Sequence, residues 1–136
     1  MAGIQELIRV ESDNALSFGN YLMDSKRKIQ DFDVEGDLYK VKTYSAMTKL
    51  EKNGRLLYES VPGTTVYNLT VDETGVDFEV EGAEDAQITV ELEAGEEYKI
   101  FIESIQVGKL MTNVSGKISF SVDFASGNQK VEVKKA

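Results

Sequence analysis

Short runs of alternating apolar and polar residues, separated by turn-forming residues about every ten positions, constrain this chain more than any other feature. In the clearest run, Val76, Phe78 and Val80 alternate with acidic residues. A period of two is typical of a half-buried strand. Similar runs follow at residues 88–93, 98–102, 105–111, 118–124 and 131–133. Many short strands at this rhythm predict an all-β fold, either a sandwich or a barrel.

The first half of the chain carries weaker strand signals but clear turn signals. Asn53-Gly54 predicts a hairpin between residues 44–52 and 55–61, because both residues tolerate positive φ. Pro62-Gly63 suits the centre of a type II turn. Further strands are predicted at residues 16–23, 38–43 and 65–71, and residues 3–10 fit either a short helix or a strand. The last strand, at Val131 and Val133, is flanked by lysines and is predicted to be a protected sheet edge.

Residues 92–100 have the spacing of a tyrosine corner, in which a tyrosine hydroxyl bonds back to the backbone a few residues upstream. Tyr98 is the corner residue, Leu92 ends one strand and Ile100 continues the next. This motif favours an antiparallel β-sandwich, with an open barrel or a jelly roll as alternatives. The chain has 136 residues, which is enough for one compact core, so residues 1–136 are predicted to form one domain.

Residues 87–104 resemble the E strand, tyrosine corner and F strand of a fibronectin type III or related immunoglobulin-like domain. The family pattern is met by Leu92, Ala94, Gly95, Tyr98, Ile100 and Ile102. The resemblance extends over residues 76–124 and implies that residues 117–124 form the family's last strand. The chain has no tryptophan for the usual early core strand, and its first 70 residues exceed what the family needs. Such a resemblance concerns the fold and carries no activity with it.

The chain contains no cysteine and no histidine. These absences exclude Ser-His-Asp and Cys-His triads, thiol redox chemistry and cysteine- or histidine-based zinc sites. A hydrolase that uses paired carboxylates, such as a glycosidase, is an alternative that these absences leave open, although 136 residues are too few for a multi-bladed propeller. We therefore predict a protein without catalytic activity and without a cofactor.

The formal charge of −9 is unevenly distributed. Residues 1–71 carry ten acids and nine bases, residues 72–103 carry twelve acids and one lysine, and residues 104–136 carry two acids and five lysines. This field opposes binding to nucleic acids and to anionic membranes. The amino-terminal residues lack the pattern of a signal peptide, and no apolar run approaches a membrane span, so we expect a cytoplasmic protein.

One stretch resembles the beginning of a calcium loop. Its candidate ligands are Asp31, Asp33, Glu35 and Asp37, with Gly36 at the sixth position. The twelfth position is Lys42, where a calcium loop requires a bidentate glutamate. The sequence favours the simpler interpretation, a strand that buries Phe32 and Val34 and ends in a turn, with no metal.

Two sets of residues remain as candidates for surface contacts. The outward side of the acidic strands supplies the interface candidates, which are Glu91, Glu93, Lys99, Phe101 and Glu103. Tyr58 and Tyr67 are the candidates for stacking on a sugar ring or another ligand. We therefore predict a non-catalytic protein that acts through surface contacts, as a homo-oligomer or a component of a larger assembly. The alternative is an accessory module that binds a glycan or another small ligand.

A third set of residues complements the acidic strands. The carboxy-terminal lysines are expected to meet them, within one molecule or between protomers: Lys109, Lys117, Lys130, Lys134 and Lys135.

Overall fold

The computed structural model describes residues 3–136, so the first two residues of the predicted domain lie outside the described part. The strands are β1 (Ile8–Val10), β2 (Leu16–Phe18), β3 (Arg27–Val34), β4 (Asp37–Tyr44), β5 (Met47–Lys52), β6 (Arg55–Val61), β7 (Thr64–Asp72), β8 (Gly75–Gly82), β9 (Ala86–Glu91), β10 (Glu97–Ile102), β11 (Ile105–Met111), β12 (Lys117–Val122) and β13 (Gln129–Lys135). A 3-10 turn at Ser12–Asn14 separates β1 from β2.

The strands form two antiparallel sheets, which confirms the predicted β-sandwich. One sheet has seven strands in the order β1-β2-β7-β8-β13-β10-β11, and the other has six in the order β12-β9-β6-β5-β4-β3. Alternate residues of both sheets meet in one buried apolar cluster, which includes Phe18, Leu50, Tyr58, Phe78 and Ile100. Burial of this apolar surface is the main favourable contribution to folding.

The predicted tyrosine corner is formed. The chain leaves the six-stranded sheet at the end of β9 and enters the seven-stranded sheet at β10. At this crossing the Tyr98 hydroxyl accepts a hydrogen bond from the Glu93 N–H at 3.3 Å, and Tyr98 is buried. The hydroxyl thereby links the β9–β10 connection to the beginning of β10.

The structure corrects two predictions about strand position. β13 was expected at an edge, but it lies between β8 and β10 in the middle of its sheet. The resemblance placed residues 117–124 as the last strand, which in that family lies beside strand F. Here β12 pairs with β9 in the opposite sheet, and β13 lies beside β10. The edges of the seven-stranded sheet are β1 and β11.

The turns of the first half are partly as predicted. Asn53 and Gly54 have φ of 52° and 82° and connect β5 to β6, as expected. However, β5 begins only at Met47, because a turn at Ser45 and Ala46 interrupts the predicted strand.

The type II turn at Pro62-Gly63 is not formed. The Val61–Pro62 peptide bond is cis, and Gly63 does not have the positive φ that a type II turn requires. Instead the Gly63 N–H donates to the Ser45 carbonyl at 2.9 Å, so the backbone packs directly against the β4–β5 turn. A Cβ at this position would lie 2.0 Å from the Tyr44 carbonyl oxygen, which explains why glycine is needed.

The amino-terminal region forms strands and not a helix. Of residues 3–10, only Ile8–Val10 are regular, and they pair with β2. The predicted strand at residues 16–23 is limited to Leu16–Phe18. None of the helical segments in residues 3–136 has the length or apolar character of a membrane span.

Candidate functional site

Tyr58 is not available to a ligand, which corrects the prediction that it stacks on one. The residue is completely buried, and its ring packs edge-on between Phe18 and Phe78, with centroid distances of 5.3 and 5.4 Å. Its hydroxyl shares a 2.8 Å hydrogen bond with the Thr64 hydroxyl. Burial raises the pKa of this hydroxyl well above its ordinary value. Tyr58 therefore belongs to the core.

Tyr67 lies at the surface, where it joins a small cluster on the outer side of the seven-stranded sheet. The Tyr67 hydroxyl donates to one carboxylate oxygen of Glu81. The Tyr21 hydroxyl donates to the other oxygen at 3.2 Å. The pKa of both tyrosines is raised, mainly by partial burial and secondly by the neighbouring Glu81 carboxylate. The cluster combines two aromatic rings with one carboxylate, and it is the remaining place for the predicted ligand stacking.

The calcium loop is not formed. Asp31 occupies a bulge of β3 with φ of 59°, and the Asp33 carboxylate accepts the Gly36 N–H at 2.9 Å within the β3–β4 turn. Asp37 accepts a hydrogen bond from the Asn53 side chain at 3.0 Å. In residues 3–136, no group of three or more potential ligands comes together to hold a metal ion. The acids instead close turns, as the simpler interpretation predicted, and Phe32 and Val34 pack against the core.

A chain of buried hydroxyl groups lies between the sheets. Thr48 donates to the Thr64 carbonyl at 2.8 Å and contacts the Thr43 hydroxyl, also at 2.8 Å. Ser60 and Tyr58 both contact the Thr64 hydroxyl. No buried side-chain nitrogen or oxygen in residues 3–136 lacks a hydrogen-bond partner. These groups are fully satisfied by one another and are closed to solvent, so they serve the core and offer no nucleophile.

The predicted interface residues do not form one surface. Glu91 projects from the outer side of the six-stranded sheet, where it pairs with Arg55. Lys99 and Phe101 lie on the outer side of the seven-stranded sheet, on the opposite side of the sandwich. Glu93 and Glu103 lie in the connections that flank β10. Phe101, predicted as an outward interface residue, is half-buried and lies opposite Glu132.

Three of the carboxy-terminal lysines already pair with acids of the same molecule. Lys135 lies 2.8 Å from Glu93, Lys109 lies 3.7 Å from Glu97, and Lys134 lies 3.8 Å from Asp77. Lys117 and Lys130 are placed opposite Glu91 and Glu79 in the strand register. The lysine surplus at the carboxy terminus therefore compensates the acidic strands internally.

The exposed apolar residues concentrate on β11 and the loop after it. Ile105, Val107 and Met111 have exposed fractions of 67%, 57% and 65%, and Leu110 is also exposed. Val114, in the following loop, is almost entirely exposed. We call Ile105, Val107, Leu110 and Met111 together with the free side of β11 the open edge. Large apolar side chains gathered at one place on a surface usually mark a contact site.

A groove of about 650 Å³ runs beside the open edge, between β11 and β12. Its walls are mainly aliphatic, and Phe120 of β12 lies across from Leu110 of β11. The inner sides of Ile100 and Ile102 form part of the same groove. The two sheets thus do not close over one another at this end, and the apolar interior of the sandwich remains accessible.

The four edge strands of the sandwich differ in how they are protected. β1 has only three residues, and β3 is bulged and rich in charge, with Arg27, Lys28, Asp31 and Asp33. β12 begins with Lys117 and presents serines outward. β11 has seven residues, no proline, one charged residue, Lys109, and one bulge, at Val107. Natural proteins usually blunt such edges, because unpaired backbone groups accept another strand.

The groove also contains two carboxylates, Glu103 and Asp123. Both are held by backbone N–H groups: Glu103 accepts the N–H of Lys130 in β13 at 2.6 Å, and Asp123 accepts the Ala125 N–H within its own turn at 2.7 Å. Neither makes an ion pair with another side chain of residues 3–136. The remaining walls supply few groups to position a sugar, because they are largely aliphatic.

Comparison of the chain with family models, with curated proteins and with solved structures gave no match. Function therefore has to be argued from the surface itself.

Sequence reasoning missed the open edge for a specific reason. The pattern IQVGKLM is irregular, and its apolar residues predict a strand without indicating which of them are covered. An apolar residue in a strand signals burial only when a neighbouring strand or sheet covers it. Whether anything covers β11 depends on the strand order, which the local pattern does not contain.

Proposed function

We propose that this chain is a non-catalytic β-sandwich that acts through protein contacts, and that its contact surface is the open edge. The observation that carries this proposal is the concentration of exposed apolar side chains on one seven-residue edge strand that has a single charged residue. Of the two forms of the hypothesis, a homo-oligomer and a larger assembly, we argue for self-association.

Charge favours the open edge as the place where two copies meet. Two molecules with a net charge of −9 repel one another at long range. β11 and β12, the two strands at this end, each carry one charged residue, which is a lysine, and neither carries an acid. Two copies can therefore approach here at the lowest electrostatic cost.

Backbone hydrogen bonding supplies the geometry. When β11 of one copy pairs antiparallel with β11 of a second copy, the seven-stranded sheets continue across a two-fold axis. The same contact brings the exposed side chains of Ile105, Val107 and Met111 beside those of the second copy. Each copy thus supplies the strand that the other lacks, and the apolar groove is shielded from water.

The proposal is tested by measuring the mass in solution over a range of concentrations, by light scattering after size exclusion. We expect the wild-type mass to rise above the 15.1 kDa of one chain as concentration increases. Ile105→Lys/Val107→Lys should remain monomeric. The matched control Val61→Lys/Val71→Lys adds the same charge at exposed valines elsewhere and should behave as the wild type. A wild type that stays monomeric, or a control that dissociates equally, overturns the proposal.

A second candidate is the binding of a glycan at the cluster of Tyr21, Tyr67 and Glu81. It is favoured by one observation, the two aromatic rings beside a carboxylate at the surface, since aromatic rings stack on sugar faces. A glycan array should then give signals that Tyr21→Ala removes and that Ile105→Lys/Val107→Lys retains. An array that is silent for the wild type counts against this candidate.

A further inference from the structure

The outer face of the six-stranded sheet carries a row of lysines that crosses three adjacent strands. In the register, Lys28 of β3 lies opposite Lys42 of β4, and Lys42 lies opposite Lys49 of β5. We call these three residues the lysine ladder. Val41 and Thr43 point into the core, so Lys42 projects outward between them. Lys26 and Lys40 lie beside the same row, close enough for their charges to act on Lys42.

This arrangement has a cost that the fold does not require. Neighbouring strands are about 4.8 Å apart, and like charges placed directly opposite destabilise a sheet. The neighbouring lysines, Lys40 and then Lys26 foremost, lower the pKa of Lys42. A sheet surface built only for solubility would alternate the two signs of charge.

The ladder is poorly compensated within the molecule. Lys49 lies 3.4 Å from the Glu51 carboxylate, and Glu59 stands opposite Lys49 at the end of the row. Lys26, Lys28, Lys40 and Lys42 make no ion pair with any carboxylate of residues 3–136. The contrast is with the carboxy-terminal lysines, three of which are paired. Glu51 also stands opposite Lys40, so the row is compensated in part at its β5 and β6 end, whereas Lys28 and Lys42 at its other end keep no ion pair.

We propose that the lysine ladder binds a short acidic peptide segment of a partner protein. Complementary charge is the argument: three ammonium groups in a row, with Lys26 and Lys40 beside them, offer several contacts to successive carboxylates. Because the patch spans only three strands, we expect its partner to be a short peptide segment. A long polyanion such as a nucleic acid would extend beyond the patch and meet the surrounding acidic surface, at distances within the Debye length of about 8 Å in physiological salt.

This surface is independent of the open edge. The ladder lies on β3, β4 and β5 of the six-stranded sheet, whereas β11 ends the seven-stranded sheet. One molecule is therefore able to use both surfaces, and a failure of one proposal leaves the other in place.

The experiment measures binding of a fluorescent oligoglutamate peptide by anisotropy at low and at physiological salt. The ladder variant is Lys28→Gln/Lys42→Gln/Lys49→Gln. The matched control, Lys109→Gln/Lys130→Gln/Lys134→Gln, removes the same charge from the other sheet. We expect the wild type and the control to bind equally and the ladder variant to lose at least about tenfold in affinity, with weaker binding as salt increases. No binding by the wild type, or an equal loss in the control, overturns the proposal.

Two further measurements would identify a different binding partner for the lysine ladder. An oligonucleotide of the same charge that binds the ladder more tightly than the peptide does would replace the acidic segment by a nucleic acid. Self-association that is sensitive to salt and that the ladder variant loses would assign the ladder to the acidic strands of a second copy. Both results contradict the proposal. All arms are repeated with Ile105→Asn/Val107→Asn, which leaves the charge unchanged, so that self-association at the open edge does not affect the outcome.

Discussion

Two buried tyrosines stabilise the sandwich through different parts of their side chains. Tyr98 acts through its hydroxyl, which accepts the Glu93 N–H at the crossing between the sheets. Tyr58 acts mainly through its ring, which packs between Phe18 and Phe78 in the centre of the core. The role of Tyr98 follows from its spacing in the sequence. The role of Tyr58 does not, because its position in an alternating strand leaves open which side of the sheet is covered.

Replacing Tyr98 with Phe removes one partly buried hydrogen bond and leaves the ring in place. The Glu93 N–H then loses its acceptor, and we expect the free energy of unfolding to fall by about 1 kcal/mol. Urea denaturation measures this change. Tyr44→Phe, at a half-buried strand position, is the control and should change little. A Tyr98→Phe variant as stable as the wild type would show that the corner hydroxyl contributes nothing.

The ionisation of Tyr58 makes stability depend on pH in the alkaline range. Burial raises the pKa of Tyr58 in the folded protein, whereas in the unfolded chain it titrates near 10. This contribution to stability is complete below pH 10. Above it, the unfolded chain releases a proton that the folded protein retains, so stability falls by about 1.4 kcal/mol per pH unit.

Urea denaturation between pH 9 and about 11 measures this slope. Tyr58→Phe should show a correspondingly smaller slope, even if it is less stable at neutral pH. Identical slopes for the two proteins would contradict the assignment.

At the scale of single elements, the tightest constraint is the contact between Gly63 and the β4–β5 turn. Replacing Gly63 with Ala brings a Cβ against the Tyr44 carbonyl, where backbone and not a flexible side chain has to move. We expect a loss of about 2 to 3 kcal/mol in the free energy of unfolding. Gly108→Ala is the matched control, because a Cβ there meets no atom within 4 Å. Equal stability of the two variants would mean that the turn moves freely.

The strands themselves were largely predictable from the sequence, and the strand order was not. The alternation around Val76, Ile88, Tyr98 and Ile118 defines β8, β9, β10 and β12 because a period of two is a local property. The central position of β13 and the edge position of β11 depend on pairings between residues far apart in sequence. Flanking lysines suggested an edge at β13, but there they pair across strands with Asp77 and Glu93.

At the scale of the whole molecule, the charges and the apolar surface divide the sandwich into regions. The lysine ladder occupies the outer side of the six-stranded sheet, and the open edge lies where both sheets end. Composition gave the net charge of −9 but not these regions, since Lys28, Lys42 and Lys49 become neighbours only when three strands pair. The lysine ladder and the open edge could therefore not be predicted from the sequence, because both depend on the strand order.

Amide hydrogen exchange in β11, measured at low and high protein concentration, tests the central claim most directly. If two copies pair through the open edge, the β11 amides that point away from β10 should become protected as concentration increases. β1, the other edge of the same sheet, provides the internal reference and should not change. Exchange in Ile105–Met111 that is the same at every concentration would contradict the proposed self-association.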